Sequence, residues 1–270
     1  MKAFLFLFLL FSAPLFSHAE PLLTGSFSQG GLLRGQVTPG TRLYYGERQL
    51  KVSADGQFIL GFGRDAAPRQ SLTLITPDGQ VLARELQIEQ RSYQIERIDG
   101  ISKRMMEPSS EDLQRIRSEA KQAKIARQTD SEQTHFADTF IWPVTGRISG
   151  VYGSQRILNG EPRRPHFGVD IAAPTGTPVI APAAGQVTLA HQGMFFSGKT
   201  LIIDHGHGLS SSFLHLDKIL VKEGQLVGQG EKIATVGATG RVTGAHLDWR
   251  INWFVERLDP ALLVPKMPNK

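Results

Sequence analysis

The sequence has no cysteine among its 270 residues, few aromatic side chains (8%) and only a modest formal charge of +5. Without cysteine no disulfide can form, so the fold depends on ordinary hydrophobic cores. Any metal site must use histidine nitrogens and carboxylate oxygens, because no thiolate is available. No basic cluster is longer than Arg163-Arg164 and no aromatic-rich nucleic-acid motif occurs, so no nucleic-acid partner is predicted. The positive charge suits work near an anionic polymer or a membrane surface.

The clearest long apolar run lies at the N-terminus. Lys2 precedes an unbroken apolar run from Ala3 to Phe11, and small residues follow up to Ala19. This arrangement over residues 1–19 is typical of a secretory signal peptide, and the run is too short to span a bilayer. We expect cleavage near Ala19, no stable membrane insertion afterwards and a periplasmic location. An uncleaved anchor and release outside the cell are the alternatives.

Residues 20–99 are predicted to form a small β-sandwich or β-barrel. Short runs of alternating apolar residues are separated by the turn pairs Pro39-Gly40, Asp55-Gly56 and Asp78-Gly79. Turn pairs at this spacing predict hairpins. The runs would supply about six or seven strands, among them 42–45, 57–62, 71–76 and 81–88. No catalytic constellation occurs here, so we interpret this domain as a positioning or binding module.

Residues 100–139 are predicted to form a charged helical linker. Ser109 has the position of a helix N-cap, and acidic residues follow in the first turn. One thin apolar stripe recurs at helical spacing, while the other faces are charged or polar; it consists of Leu113, Ile116, Ala120 and Ala123. Residues 129–139 are polar and predict a loop. We therefore expect a solvated connector between two domains, with a regulatory latch as the alternative.

Residues 140–265 are predicted to form a second β-rich domain, because they are rich in glycine and carry few helix signals. Two apolar runs flank the turn His205-Gly206-His207-Gly208 and predict a hairpin. The pair His205 and His207 is a rival metal site, but the glycines indicate a tight turn that would direct both imidazoles into solvent. His215 ends the second strand of this hairpin, where a side chain can be held firmly for function or packed in the core.

The stretch PHFGVDIAAPTGTPVIAPAAGQV contains His166 and Asp170, which lie four residues apart on either side of Gly168. In a straight strand their side chains would be about 13 Å apart, too far for one ion to bridge. Gly168 permits a bend or bulge that aims both side chains at one point. The spacing is therefore compatible with a metal site, although by itself it favours a surface histidine beside an aspartate that caps a turn.

The segment 246–253 alternates strictly between polar and apolar residues, which predicts a strand with two different faces. The core face carries Leu247, Trp249, Ile251 and Trp253, and the polar face carries His246, Asp248, Arg250 and Asn252. Residues i and i+2 lie about 6 to 7 Å apart on one side of a strand. This spacing suits one metal ligand beside one acid or base, although a solvent-facing polar surface is the alternative.

These motifs occur in the order and spacing of one family. HFGVD, SSFLHLD and VKEGQLVGQGEKIATVGATGRVTGAHLDW, preceded by YGSQR, resemble the lysostaphin-type or LytM-type zinc metallopeptidases, which cut peptides in bacterial peptidoglycan. The resemblance covers 140–265 and implies a LytM-type β-sheet peptidase domain with one zinc ion per chain. It implies that His166 and Asp170 bind zinc and that His215 and His246 act in catalysis.

The chain also departs from the family pattern. The second histidine of the family's His-x-His motif is its third zinc ligand, and the resemblance places Asp248 at that position. Arg250 stands where the family often has glutamate, and Phe213 where it has tyrosine. Aspartate binds zinc through oxygen, and Arg250 can offset the added negative charge.

Two hypotheses about function follow. The first is an exported zinc endopeptidase that acts on stem or cross-link peptides of peptidoglycan. The second is a degenerate, non-catalytic module that binds cell wall or activates a partner amidase. The retention of the other four positions, His166, Asp170, His215 and His246, favours the enzyme.

Overall fold

The computed structural model describes residues 21–268. The expected signal peptide at 1–19 lies outside the described residues. Within them, no helix is both long enough and apolar enough to cross a membrane. Two α-helices, α1 (Lys103–Met106) and α2 (Ser110–Arg127), and two 3-10 helices, His135–Ala137 and Pro260–Leu262, accompany the strands.

The strands follow in chain order. They are β1 (Leu22–Gly25), β2 (Leu32–Gln36), β3 (Arg42–Tyr45), β4 (Arg48–Leu50), β5 (Gln57–Gly61), β6 (Arg69–Ile75), β7 (Val81–Gln87), β8 (Ile95–Ile98), β9 (Arg147–Gly150), β10 (Gln155–Leu158), β11 (Glu161–Pro162), β12 (Val169–Ala172), β13 (Pro178–Ile180), β14 (Gly185–Met194), β15 (Gly198–Gly206), β16 (Leu209–Ile219), β17 (Leu226–Val227), β18 (Lys232–Val236), β19 (His246–Trp253) and β20 (Glu256–Leu258).

The strands β1 to β7 form two sheets, which confirms the predicted all-β fold of the N-terminal region. One sheet has the order β1-β2-β5 and the other the order β4-β3-β6-β7. The predicted turn Asp78-Gly79 joins β6 to β7, and the φ of 87° at Gly79 is a conformation that glycine adopts without strain. Leu33 and Phe58 of one sheet and Leu43 of the other are fully buried in a shared core.

The C-terminal region is built on a large sheet in which β17-β14-β15-β16-β19-β12-β9 are neighbours in that order. The predicted hairpin is present as β15 and β16, which pair antiparallel from Lys199↔Leu216 to Gly206↔Leu209. Leu247, Trp249 and Ile251 of β19 lie in the hydrophobic core as predicted, but Asp248 and Asn252 on the polar face are buried too, so the alternative of a solvent-facing surface is wrong for these two residues. β19 lies between β16 and β12, so it is an interior strand of the sheet.

The N-terminal and C-terminal regions share a third sheet with the order β11-β10-β8. In it β8, which follows the first two sheets in the chain, pairs parallel with β10, from Gln155↔Ile95 to Leu158↔Ile98. The predicted first domain, 20–99, therefore ends in a strand that belongs structurally to the second region. This pairing places Ile98 and the following Ile101 beside the groove described below.

Helix α2 begins as predicted, because the Ser109 side chain accepts a hydrogen bond from the Asp112 backbone N–H at 3.1 Å. The predicted apolar stripe is only partly correct, since Leu113 is 41% exposed and Ala120 is exposed. The buried face is instead Asp112, Glu119, Ala123 and Ala126.

The helix packs on the C-terminal sheet rather than standing in solvent. Ala123 and Ala126 contact an apolar cluster formed by Leu189, Met194 and Ile202. Glu119 is buried because its carboxylate accepts a hydrogen bond from the Phe195 backbone N–H and pairs with Arg115. The expectation of a solvated connector was therefore wrong for this helix. The loop predicted at 129–139 also contains the short helix His135–Ala137, in which Phe136 is buried.

Candidate active site

The neighbouring strands β12 and β19 bring the two candidate ligand aspartates together. Asp170 on β12 lies directly opposite Asp248 on β19 in the antiparallel register. His166 lies in the loop before β12, where its backbone N–H donates to Ser154 O at 2.8 Å and its carbonyl accepts from Gly153 N at 2.7 Å. The backbone of His166 is therefore held on both sides before its side chain reaches the aspartates.

Gly168 is needed because a side chain would not fit at this position, not because the backbone bends there. A Cβ atom at this position would lie 2.7 Å from Asp248 Oδ1 and 2.7 Å from the backbone oxygen of Trp249. The expected bulge occurs elsewhere, between Asp170 and Ile171 in the pairing of β12 with β9. The glycine thus allows the His166 loop to approach β19 closely, which is what closes the site.

His166 and Asp170 are not surface residues, so the alternative of a surface histidine beside a turn-capping aspartate is excluded. Their side chains are 0% and 11% exposed, and His166 Nε2 lies 3.1 Å from Asp170 Oδ1. Within residues 21–268, three buried atoms of this pair have no hydrogen-bond partner with normal geometry, namely both ring nitrogens of His166 and Oδ1 of Asp170. Buried polar atoms are rarely left unpaired in proteins. These atoms are also of the kinds that coordinate metal ions, so the cluster is a candidate ion site.

Asp248 completes the cluster. One ligand atom each from His166, Asp170 and Asp248 lies within 4.8 Å of the other two. The Asp248 carboxylate also accepts two hydrogen bonds from Arg250, from Nε at 2.9 Å and from Nη2 at 2.5 Å. Burial raises the pKa of Asp248, but the Arg250 guanidinium outweighs burial and holds that pKa well below its usual range.

Asp170 has a guanidinium partner of its own. Arg156 Nη2 donates to Asp170 Oδ2 at 2.5 Å, while Asp170 Oδ1 faces His166. Burial and the neighbouring Asp248 raise the pKa of Asp170, whereas His166 and Arg156 lower it, and the pKa is lowered on balance. Both carboxylates are therefore ionised at neutral pH although they face each other.

His215 and His246 stand next to the cluster with their rings 4.9 Å apart. The Nδ1 atom of His215 lies 2.8 Å from the Thr239 carbonyl oxygen, and that of His246 lies 2.9 Å from the Gly244 carbonyl oxygen. Because a carbonyl can only accept, these contacts assign the proton to Nδ1 in each ring. Nε2 of each ring then faces a carboxylate: His215 Nε2 is 4.0 Å from Asp248, and His246 Nε2 is 3.8 Å from Asp170.

The backbone at His215 explains how its side chain reaches the site. Leu214 is the residue opposite Asp248, so strict alternation would place His215 on the other side of the sheet. His215 instead has a φ of 63°, which is uncommon for a residue other than glycine and reverses the direction of the side chain. Burial lowers the pKa of His215 to about 4, so the ring is neutral at neutral pH.

Four of the five residues line a groove of about 400 Å³, namely Asp170, His215, His246 and Asp248, while His166 lies behind them. Further residues complete the lining; these include Ile98, Ile101, Arg156, Phe196, Arg241 and Arg250. A peptide-sized groove with a few converging polar groups is typical of a substrate site. Arg156 was not singled out from the sequence, since nothing local to YGSQR indicates that it contacts Asp170.

The rival pair His205 and His207 lies elsewhere, and the expectation that both rings point into solvent was wrong. Both side chains are buried. His205 Nδ1 contacts the Ala184 carbonyl oxygen at 2.7 Å and Nε2 contacts Ser211 Oγ at 2.8 Å. His207 packs against Phe136 with ring centroids 4.4 Å apart. The turn is tight as predicted, but the segment after α2 covers it.

The site lies in a region that is similar to a known protein family. The model of peptidase family M23 matches residues 164–260, which include all five residues. The peptidoglycan DD-endopeptidase ShyB of Vibrio cholerae serotype O1 is 42% identical over 109 residues, or 40% of this chain and 22% of ShyB. The murein hydrolase activator NlpD of Escherichia coli is 32% identical over 128 residues, or 47% of this chain and 32% of NlpD. The chain thus spans a third or less of these relatives.

A solved structure matches over a much larger part of the chain. The crystal structure of a peptidase M23 protein from Pseudomonas aeruginosa is 30% identical in sequence, with a TM-score of 0.68. The match covers 88% of this chain and 94% of that one. The similarity therefore includes the N-terminal strands and α2 as well as the large C-terminal sheet.

Proposed function

Since the chain belongs to peptidase family M23, we propose that it is an exported, zinc-dependent endopeptidase that hydrolyses peptide cross-links of bacterial peptidoglycan in the periplasm. One observation carries this proposal. His166, Asp170 and Asp248 form a buried cluster with unsatisfied donor atoms, and two histidines direct Nε2 at it across an open groove. The relative ShyB, named as a peptidoglycan DD-endopeptidase, supports the choice of substrate.

The donor set fits zinc. Zinc accepts imidazole nitrogen and carboxylate oxygen, and three protein ligands with one open position are typical of its catalytic sites. His166 offers a ring nitrogen and Asp170 offers Oδ1, and both atoms lack another partner within residues 21–268. Asp248 offers an oxygen that retains a lone pair beside its bonds to Arg250. When bound, zinc would polarise a peptide carbonyl and lower the pKa of a water molecule toward neutrality.

The two histidines would accept and donate the protons of the reaction. The His215 ring is neutral and carries its proton on Nδ1, so Nε2 can accept a proton from the attacking water. The hydrogen bond to Thr239 keeps the ring in this tautomer. His246 would donate from Nε2 to the oxyanion of the transition state, and it needs a second proton to do so because its Nδ1–H already donates to Gly244.

Arg156 and Arg250 would keep the two carboxylates ionised and in place. Arg156 donates to one oxygen of Asp170 and Arg250 donates to both oxygens of Asp248, so the aspartates can face each other without sharing a proton. Arg250 also brings a positive charge close to the ion position. This charge is expected to weaken zinc binding, which distinguishes the present site from one with two histidines and one aspartate.

The purified mature chain tests this proposal. Its metal content would be measured by mass spectrometry, and its digestion of purified wall sacculi would be followed through new amine ends. We expect about one zinc per chain, cleavage that stops with a chelator, and several kcal/mol weaker zinc binding in Asp248→Ala. Cleavage by a chain without metal would refute the mechanism.

A second candidate function is a non-catalytic module that binds cell wall or activates an amidase. The bidentate bond between Arg250 and Asp248 favours it, because a guanidinium on the third ligand can replace an ion as the counter-charge. The relative NlpD, named as a murein hydrolase activator, points in the same direction. Binding to sacculi without zinc and without new amine ends would establish this candidate instead.

A further inference from the structure

Among the described residues, one arginine of the groove beside the candidate active site has no acidic partner. Three arginines line it, namely Arg156, Arg241 and Arg250. Arg156 is paired with both Asp170 and Glu96, and Arg250 is paired with Asp248. In the part of the chain that the structure describes, no carboxylate lies within ion-pair distance of Arg241. Arg241 is therefore the arginine of this groove whose guanidinium is available to an incoming anion.

Arg241 is held in position by its neighbours rather than extended into solvent. Its backbone N–H donates to the Phe196 carbonyl oxygen at 2.8 Å, and its guanidinium carbon lies 4.4 Å from the centroid of the Phe196 ring. Burial, together with the positive charge of Arg156, lowers the pKa of Arg241, although a guanidinium stays charged in proteins. A fixed, partly buried cation beside other cations is an unfavourable arrangement unless an anion joins it.

The place of Arg241 in the chain connects it to the catalytic histidines. It lies in the segment between β18 and β19, two residues after Thr239 and three before Gly244. The carbonyl groups of Thr239 and Gly244 are the acceptors that orient His215 and His246. A ligand held by Arg241 would thus bind to the same short segment that positions both rings.

We infer that Arg241 binds a free carboxylate of the peptide substrate beside the scissile bond. The planar guanidinium presents two parallel N–H groups that match the two oxygens of a carboxylate. Ile98 and Ile101 line the same groove and offer apolar contact to the neighbouring part of the peptide. This inference rests on the proposed function and defines its substrate class as anionic peptides.

Binding without turnover provides the test. Muropeptides released from purified sacculi by a muramidase would be titrated into the His215→Ala protein, once with free carboxylates and once after conversion of the carboxylates to amides. We expect the free peptides to bind about tenfold or more tightly, the strength of a charged hydrogen bond. Arg241→Gln in the same background should bring this ratio to about one, and Arg241→Lys should restore part of it.

Arg48→Gln is the matched control, because Arg48 also stacks on a phenylalanine, 4.0 Å from the centroid of Phe254, but lies outside the groove. It should leave the ratio unchanged. An unchanged ratio in Arg241→Gln would overturn the inference. So would the lack of any preference for free carboxylates in the His215→Ala protein, and this second measurement stays decisive even if Arg241→Gln folds poorly. Cleavage of sacculi by the unmodified chain separates the two claims. Preference without cleavage refutes only the endopeptidase, and cleavage without preference refutes only the role of Arg241.

Discussion

Replacement of Arg250 by methionine provides the sharpest test of how this site is charged. Arg250 binds both oxygens of Asp248, whose side chain is 1% exposed, while Arg250 itself is 23% exposed. Methionine keeps most of the apolar stem but removes the guanidinium. Asp248 would then be a buried carboxylate opposite Asp170, with no cation to offset it unless a metal ion binds.

The size of the effect follows from these contacts. Removal of one partner from a buried ion pair costs about 3 to 5 kcal/mol, and the partial exposure of Arg250 favours the lower end, about 3 kcal/mol. Zinc would replace the lost positive charge and would no longer be repelled by the guanidinium. We therefore expect Arg250→Met to bind zinc about tenfold more tightly than the parent chain, which recovers about 1.4 kcal/mol of the lost stability at saturating zinc.

Urea unfolding with chelator and with saturating zinc, combined with zinc titration, measures both effects. Arg91→Met is the matched control, because Arg91 forms a similar pair with Asp259 at 2.8 Å, with side-chain exposures of 28% and 5%. The loss of stability in this control should be independent of zinc. If zinc leaves the deficit of Arg250→Met unchanged, and its zinc affinity equals that of the parent, then Asp248 is not a ligand and the reasoning fails.

Three further predictions concern single positions. His215→Ala should keep zinc binding but lower turnover about 10²-fold or more, and equal loss of zinc would show a ligand or packing role instead. Gly168→Ala should destabilise the protein by about 1 to 3 kcal/mol and weaken zinc binding, whereas Gly228→Ala, with open space around its Cβ position, should do neither; intact zinc affinity in a folded Gly168→Ala would contradict the close approach. Burial lowers the pKa of His205 to about 4 from an ordinary value of 6.5, so the stability that depends on the neutral ring is complete above about pH 6.5 and declines below it. By pH 5 the free energy of unfolding should be lower by about 2 kcal/mol. Urea unfolding should show a smaller loss of stability from pH 7 to pH 5 in His205→Gln than in the parent chain.

The sequence alone determined the local structure of the site. The β15–β16 hairpin, the alternating faces of β19 and the N-cap at Ser109 all follow from patterns within about ten residues, where strand and helix periods are strong. The motifs around His166, Asp170, His215 and His246 also indicated the family, which the comparisons confirm. The roles of these residues and of Asp248 stay predictions until zinc content and turnover are measured.

Tertiary structure decided which of these local features meet. Pairing of β12 with β19 puts Asp170 opposite Asp248, and this register depends on contacts between segments about 80 residues apart. The positive φ of His215 breaks the alternation that the sequence predicts. His205 was expected in solvent and is buried, because the segment after α2 covers its turn. Local patterns specify the direction of a side chain within its own element, whereas the packing of distant elements determines its partners.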